Sequence, residues 1–117
     1  MKILVCGDRN WSSYATILAT LREYPVTIIV QGECRGADLL GKRAGEELKC
    51  EIKSYPADWA RHGRAAGPIR NAAMLKEKPD LVLAFHSNID QSRGTKNMIE
   101  QAKKSKIPTR IIKECVS

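Results

Sequence analysis

Short apolar runs alternate along the chain with longer stretches whose apolar residues recur three and four apart. Lys2 to Cys6 is an apolar run ending at Gly7, which reads as a buried strand. Ser12 and Ser13 can cap a helix, and Tyr14, Ile17, Leu18 and Leu21 share one face of it until Pro25 stops it. Val26 to Val30 is β-branched and reads as a second strand. Gly32 and Gly36 punctuate the next loop, and Ala37 to Lys49 predicts a helix with the stripe Leu40, Ala44 and Leu48. Glu51 to Tyr55 is a poorer third strand. A loop from Pro56 to Gly67 leads to a helix that Pro68 opens, its fixed φ suiting the first helical position, and that ends near Lys78. Leu81 to Phe85 is the most apolar strand, Gly94-Thr95 opens a helix to about Lys104, and Ile107 to Lys113 is the fifth strand.

Strands that alternate with helices predict a parallel sheet covered on both faces. Right-handed crossovers then leave few arrangements. The expectation is an α/β doubly wound sheet of about five strands, order 3-2-1-4-5, in one domain spanning residues 1–117. Its crevice should lie at the carboxyl ends of strands 1 and 4, where the winding reverses.

Composition adds that 43% of residues are hydrophobic and 28% charged, the mix of a soluble globular protein. No apolar run approaches the roughly 20 residues of a membrane span, and the apolar start is too short for a signal peptide. A cytoplasmic location is expected. The cysteines, Cys6, Cys34, Cys50 and Cys115, form no CxxC pair and stand at no metal-ligand spacing from His62 or His86, so reduced thiols and no structural metal are expected.

Net charge is +7, which favours anionic partners without choosing among nucleotide, nucleic acid and a merely basic surface. The placement of residues narrows this. Five of six aromatics (Trp11, Tyr14, Tyr55, Trp59, Phe85) fall at or just after the carboxyl end of a strand. So do six of nine arginines: Arg9, Arg35, Arg61, Arg64, Arg70 and Arg93. Arginine forks onto phosphate and aromatic faces stack on bases, which points to a nucleotide-sized anion. Asp8, Glu33, Asp38, Asp58 and Asp90 share that edge, so it is not a simple positive funnel.

Each loop carries two readings. After strand 1, Gly7 lets a backbone approach closely and Arg9 can reach phosphate, while Trp11 either stacks on a base or lids the core. After strand 2, Gly32 and Gly36 open a helix N-terminus, and Asp38 either binds ribose hydroxyls or complements the helix dipole. Arg70 and Asn71 are expected in the first turn of the third long helix, where a cation opposes the dipole and a ligand role is the natural reason. Gly94 permits close approach, and Thr95 caps its helix or holds phosphate. His86 and Cys34 have the position for catalysis but no readable partner. Lys103, Lys104 and Lys106 read as a solvated helix end.

These residues together resemble a known family. Gly7-x-Arg9-x-Trp11, Gly32-x3-Gly36-Ala37-Asp38, Ala57-Asp58-Trp59, the string Gly63-Arg64-Ala65-Ala66-Gly67-Pro68-Ile69-Arg70-Asn71-x2-Met74, Ala84-Phe85 and Gly94-Thr95 look like the YspA-type branch of the SLOG superfamily, related to the DprA/Smf and LOG proteins. The resemblance runs from Lys2 to about Ile111. It implies a Rossmann-like domain that binds nucleotides or NAD and ADP-ribose derivatives, a bacterial or phage setting that includes defence-related sensors, and a homo-oligomer. The LOG enzymes carry PGGxGTxxE, whose glutamate serves in cleaving base from sugar. Here only Gly94-Thr95 matches, Met98 stands at the glutamate position, and Glu100 falls on another side of the helix. Arg70 matches the arginine of the equivalent LOG helix.

The leading expectation is therefore a sensor or sequestering module whose small-molecule nucleotide is held by Gly7, Arg9, Gly32, Gly36, Asp38, Arg64, Arg70, Asn71, Gly94 and Thr95, with Trp11 or Trp59 stacked on the base. The alternative is a nucleotide N-glycosidase with Asp38 or Asp58 as its carboxylate. A third is single-stranded nucleic-acid binding, which the scattered lysines favour least. A Mg²⁺ ion riding on ligand phosphates would leave no signature among the side chains. No membrane partner is expected.

Overall fold

A computed structural model describes residues 1–113. Five strands, β1 (Lys2–Gly7), β2 (Ile28–Gln31), β3 (Glu51–Ser54), β4 (Leu81–Phe85) and β5 (Thr109–Ile112), form one parallel sheet of order β3-β2-β1-β4-β5. The helices are α1 (Tyr14–Leu21), α2 (Ala37–Glu47), α3 (Trp59–His62), α4 (Ala66–Leu75) and α5 (Arg93–Lys104). The doubly wound α/β order read from the sequence is thus the order found. Cys115 lies outside the described residues; Cys6, Cys34 and Cys50 are free thiols.

Period-2 alternation builds two cores, one on each face. Ile3, Val5, Ile29, Leu81, Leu83 and Phe85 meet Ile17 and Leu21 of α1 and Ala37 and Ala44 of α2. Leu4, Cys6, Val30, Val82 and Ala84 meet Met74 of α4 and Met98, Ile99 and Ala102 of α5. β1 and β4 are buried on both faces because they are central. β3 and β5 are edges and stay partly exposed, which is why their sequence pattern is weak.

Two expectations need correction. The segment expected as a loop, residues 56–67, holds α3, a 3-10 turn (Gly63–Ala65) and the start of α4. Asp58 caps α3 by accepting from the Arg61 N–H at 3.1 Å. Gly63, with φ of 56°, ends α3, the 3-10 turn follows it, and α4 begins at Ala66 with Pro68 as its third residue. Proline fits there because the first four helical N–H groups have no intrahelical acceptor. Arg70 is accordingly the fifth residue of α4, beyond the first turn, and the helix-dipole reason for singling it out does not apply.

Candidate ligand cleft

A cleft of about 720 Å³ lies over the carboxyl ends of β1 and β4. Its location follows from topology: α1 and α2 lie on one face and α4 and α5 on the other, so the chain parts there. Gly7, Arg9, Asp38, Trp59, Arg70, Asn71, Gly94 and Thr95 line it together, with Met98 on its floor. Arg9, Arg35, Arg70 and Arg93 set four guanidinium groups against the carboxylates of Asp8 and Asp38, and no lysine lines it.

Arg70 is the most constrained of the four. Its Nη1 donates to the Gly32 carbonyl at 2.8 Å and its Nε to Asn71 Oδ1 at 3.0 Å. Among the described residues nothing accepts from its Nη2. Asn71 is buried, and its Nδ2 donates to the Gly94 carbonyl (3.2 Å) and to Asn97 Oδ1 (3.1 Å). Asn71 therefore ties α4 to α5 and aims Arg70. Asn71→Ala should weaken ligand binding roughly tenfold by freeing the guanidinium. Calorimetric titration would check this, and unchanged affinity would rule the positioning role out.

Asp38, in the first turn of α2, is 6% exposed. Its Oδ2 accepts from the backbone N–H groups of Gly32 (3.1 Å) and Cys34 (3.4 Å). Burial outweighs both bonds and the nearby Arg70 charge, pushing the carboxyl from 3.8 up to about 6. An acid whose folded pKa is raised stabilises the fold fully below its unfolded pKa and loses that contribution as pH climbs through its folded value. The asparagine of Asp38→Asn keeps an acceptor for both N–H groups and does not ionise. Its stability relative to the parent should improve by up to about 3 kcal/mol between roughly pH 4 and pH 8. Urea titrations across that range would show it; a gap independent of pH would not fit.

Gly32 sits behind the site rather than on its lining. A Cβ there would meet Asp38 Oδ2 at 2.8 Å and the Arg70 guanidinium carbon at 2.9 Å. Gly36, with φ of 79°, lets the Asp8–Arg9 backbone pack on the start of α2. Gly36 is off the lining too, as are Trp11, Arg64 and Asp58. Trp11 is 3% exposed, packs edge-on against Phe85 with centroids 5.6 Å apart, and donates its indole N–H to the Ser13 carbonyl at 3.0 Å; it is the core lid. Arg64 is exposed on the 3-10 turn, and Asp58 is the α3 cap. Trp59, 56% exposed, is the one aromatic on the lining.

Thr95 does not cap α5; Ser92 does, its Oγ accepting from the Thr95 N–H at 3.2 Å. The Thr95 hydroxyl is left for the cleft. The Cys6 thiol lies against the cleft floor, but burial, reinforced by the Asp38 charge, pushes its pKa far up and keeps it protonated. Of the other acids at this edge, Glu33 is drawn aside by Lys42 at 2.8 Å, with Ser54 and Gln31 helping to lower its pKa to about 2. Asp90 lines a separate groove beside α5. Asn10, Gln91 and Ser92, which the sequence did not single out, lie in the loops after β1 and β4 and had loop membership as their only signal, while Asp8 was named only as one of the acids at this edge. Among the described residues no group of three or more His, Cys, Asp or Glu could hold a metal ion, and no helix is long and apolar enough to cross a membrane.

A doubly wound parallel sheet with its cleft at the switch point is a Rossmann-like α/β domain. The family model described as "YspA, cpYpsA-related SLOG family" matches residues 1–62. The chain is also 31% identical to the Gene 61 protein of Mycobacterium phage D29, with 92% of each covered. The chain belongs to the YspA, cpYpsA-related SLOG family. No solved structure matches it.

Proposed function

We propose that this protein binds a nucleotide-derived anion, of the mononucleotide, NAD or ADP-ribose kind, in the cleft over β1 and β4, as a sensing or sequestering module. The observation that carries this is Arg70, its guanidinium held on two sides by Gly32 and Asn71 and its Nη2 left over. A prearranged guanidinium nitrogen that still carries two N–H groups binds phosphate with little ordering cost. Arg9, Arg35 and Arg93 supply further charge, the start of α5 supplies the Gly94 N–H and the Thr95 hydroxyl, and Trp59 offers a face for a base. A Mg²⁺ ion would come with ligand phosphates. The homo-oligomer implied by the resemblance belongs to the proposal and is read by sedimentation.

Incubation with mononucleotides, NAD, ADP-ribose and cyclic nucleotides, followed by mass spectrometry of bound and free fractions, tests the reading. An intact nucleotide in the bound fraction supports it, and none bound overturns it. Affinity should fall only a few-fold from about 50 to about 200 mM salt, because few phosphates are held. A strand-binding surface with many phosphate contacts would lose about a thousandfold or more.

One observation favours a second reading, cleavage of the N-glycosidic bond. Asp38 lines the same cleft with a carboxyl raised to about 6, which suits an acid role at neutral pH. Asp58 does not line it, and Met98 puts a thioether where the LOG glutamate stands. Release of free base that Asp38→Asn abolishes would establish this reading in place of simple binding.

A further inference from the structure

At the floor of the cleft β1 and β4 end side by side, Gly7 opposite Phe85, and the next residue of each strand turns a polar group into the opening. These residues are Asp8 and His86. His86 is 7% exposed. Its backbone N–H is held by the Ile112 carbonyl, and its Nδ1 accepts from the Asn88 N–H at 2.9 Å. The neutral ring therefore carries its proton on Nε2. Among the described residues no acceptor lies within hydrogen-bond distance of that N–H, and Asp8 Oδ2 stands 3.9 Å away. Asp8 is pinned in turn. Its N–H donates to the Phe85 carbonyl and its Oδ1 accepts from the Asn10 N–H at 2.9 Å, and among the described residues Oδ2 accepts no hydrogen bond.

A fixed donor and a fixed acceptor thus stand next to each other at the switch point, both open to the cleft. We propose that Asp8 and His86 form a subsite for the donor–acceptor edge of a carboxamide or an amino-substituted base. The ligand's NH₂ donates to Asp8 Oδ2 and its carbonyl oxygen or ring nitrogen accepts from His86 Nε2–H. Phosphate does not fit there, because an oxyanion on Nε2 would face the Asp8 carboxylate, and like charges brought together oppose binding. The phosphate is left to Arg70 and the start of α5, which orients the ligand with its base on the floor. This rests on the nucleotide-binding reading above and adds the ligand's polarity.

The test uses two matched ligand pairs. One is NAD against its nicotinic-acid counterpart, which replaces the carboxamide by a carboxylate. The other is AMP against purine riboside 5′-monophosphate, which lacks the amino group. Titrations are run on the parent, Asp8→Asn and Arg70→Ala, with thermal melts to confirm folding. The parent should prefer the amide or amino member of at least one pair by roughly tenfold, since losing the donor leaves Asp8 unpaired. The pair that discriminates names the group that occupies the subsite. Asp8→Asn turns the acceptor into a donor, so it should cancel that preference and, for the NAD pair, reverse it. Arg70→Ala should weaken both members alike and keep the preference. Equal affinity within both pairs, with Arg70→Ala still weakening them, overturns the subsite and leaves the binding reading standing. Absence of any binding overturns both.

Discussion

Arg70→Ala should lower the affinity of the cleft for the nucleotide proposed to bind there roughly a hundredfold, with the sheet intact. A charge-assisted bond to phosphate is worth about 1.5–3 kcal/mol, and Nη2 carries two N–H groups that can each make one. Truncation also deprives the Gly32 carbonyl of its 2.8 Å donor and Asn71 Oδ1 of its 3.0 Å donor, so the walls of the cleft lose their tie. It removes the positive charge that holds the Asp38 carboxyl down, so that carboxyl should titrate higher still. Arg70→Lys separates charge from geometry. Lysine restores the charge but cannot reach Gly32, Asn71 and a phosphate together, so it should recover only part of the loss. Calorimetry on the three proteins measures this, and equal affinity in all of them would remove Arg70 from the site.

Gly7→Ala should be the most damaging small substitution in the chain, costing about 3 kcal/mol or more, near 12 °C in Tm at this size. Gly7 has a φ of 149°, a region that side chains avoid. A Cβ there would lie 2.8 Å from the Phe85 nitrogen and carbonyl carbon, and closer still to its oxygen. None of these can rotate away, because they belong to the central β1–β4 ladder. Gly94→Ala is the contrast. A Cβ at Gly94 meets nothing within 4 Å, so stability should hold while the methyl intrudes on the cleft and weakens ligand. Thermal melts beside binding titrations would separate the two, and a stable Gly7→Ala would show that the ladder can yield there.

The two glycines illustrate what local sequence can say. Both read as places of close approach; at Gly7 the Phe85 backbone approaches, and at Gly94 nothing lies within 4 Å of where a Cβ would stand. Trp11 and Trp59 stand alike in the sequence, each just past a strand, yet Trp11 closes the core on Phe85 and Trp59 sits at the rim of the cleft. The difference lies in what packs beneath each ring, a contact between segments far apart in the chain. Likewise Glu33 and Asp38 stand five residues apart between β2 and the first turn of α2, but Lys42 takes the first aside while two backbone N–H groups fix the second over the cleft.

By itself the sequence determined the sheet, its strand order and the edge where the cleft opens. Strand and helix periodicity are local, a parallel crossover has one hand, and those rules leave little choice. Only the tertiary structure decided which charges converge. Arg70 reaches a carbonyl in the β2 loop, Asn71 reaches α5, and Asp8 meets His86 across two strands that are adjacent only in the fold. Those contacts join residues dozens of positions apart, and no local pattern records them.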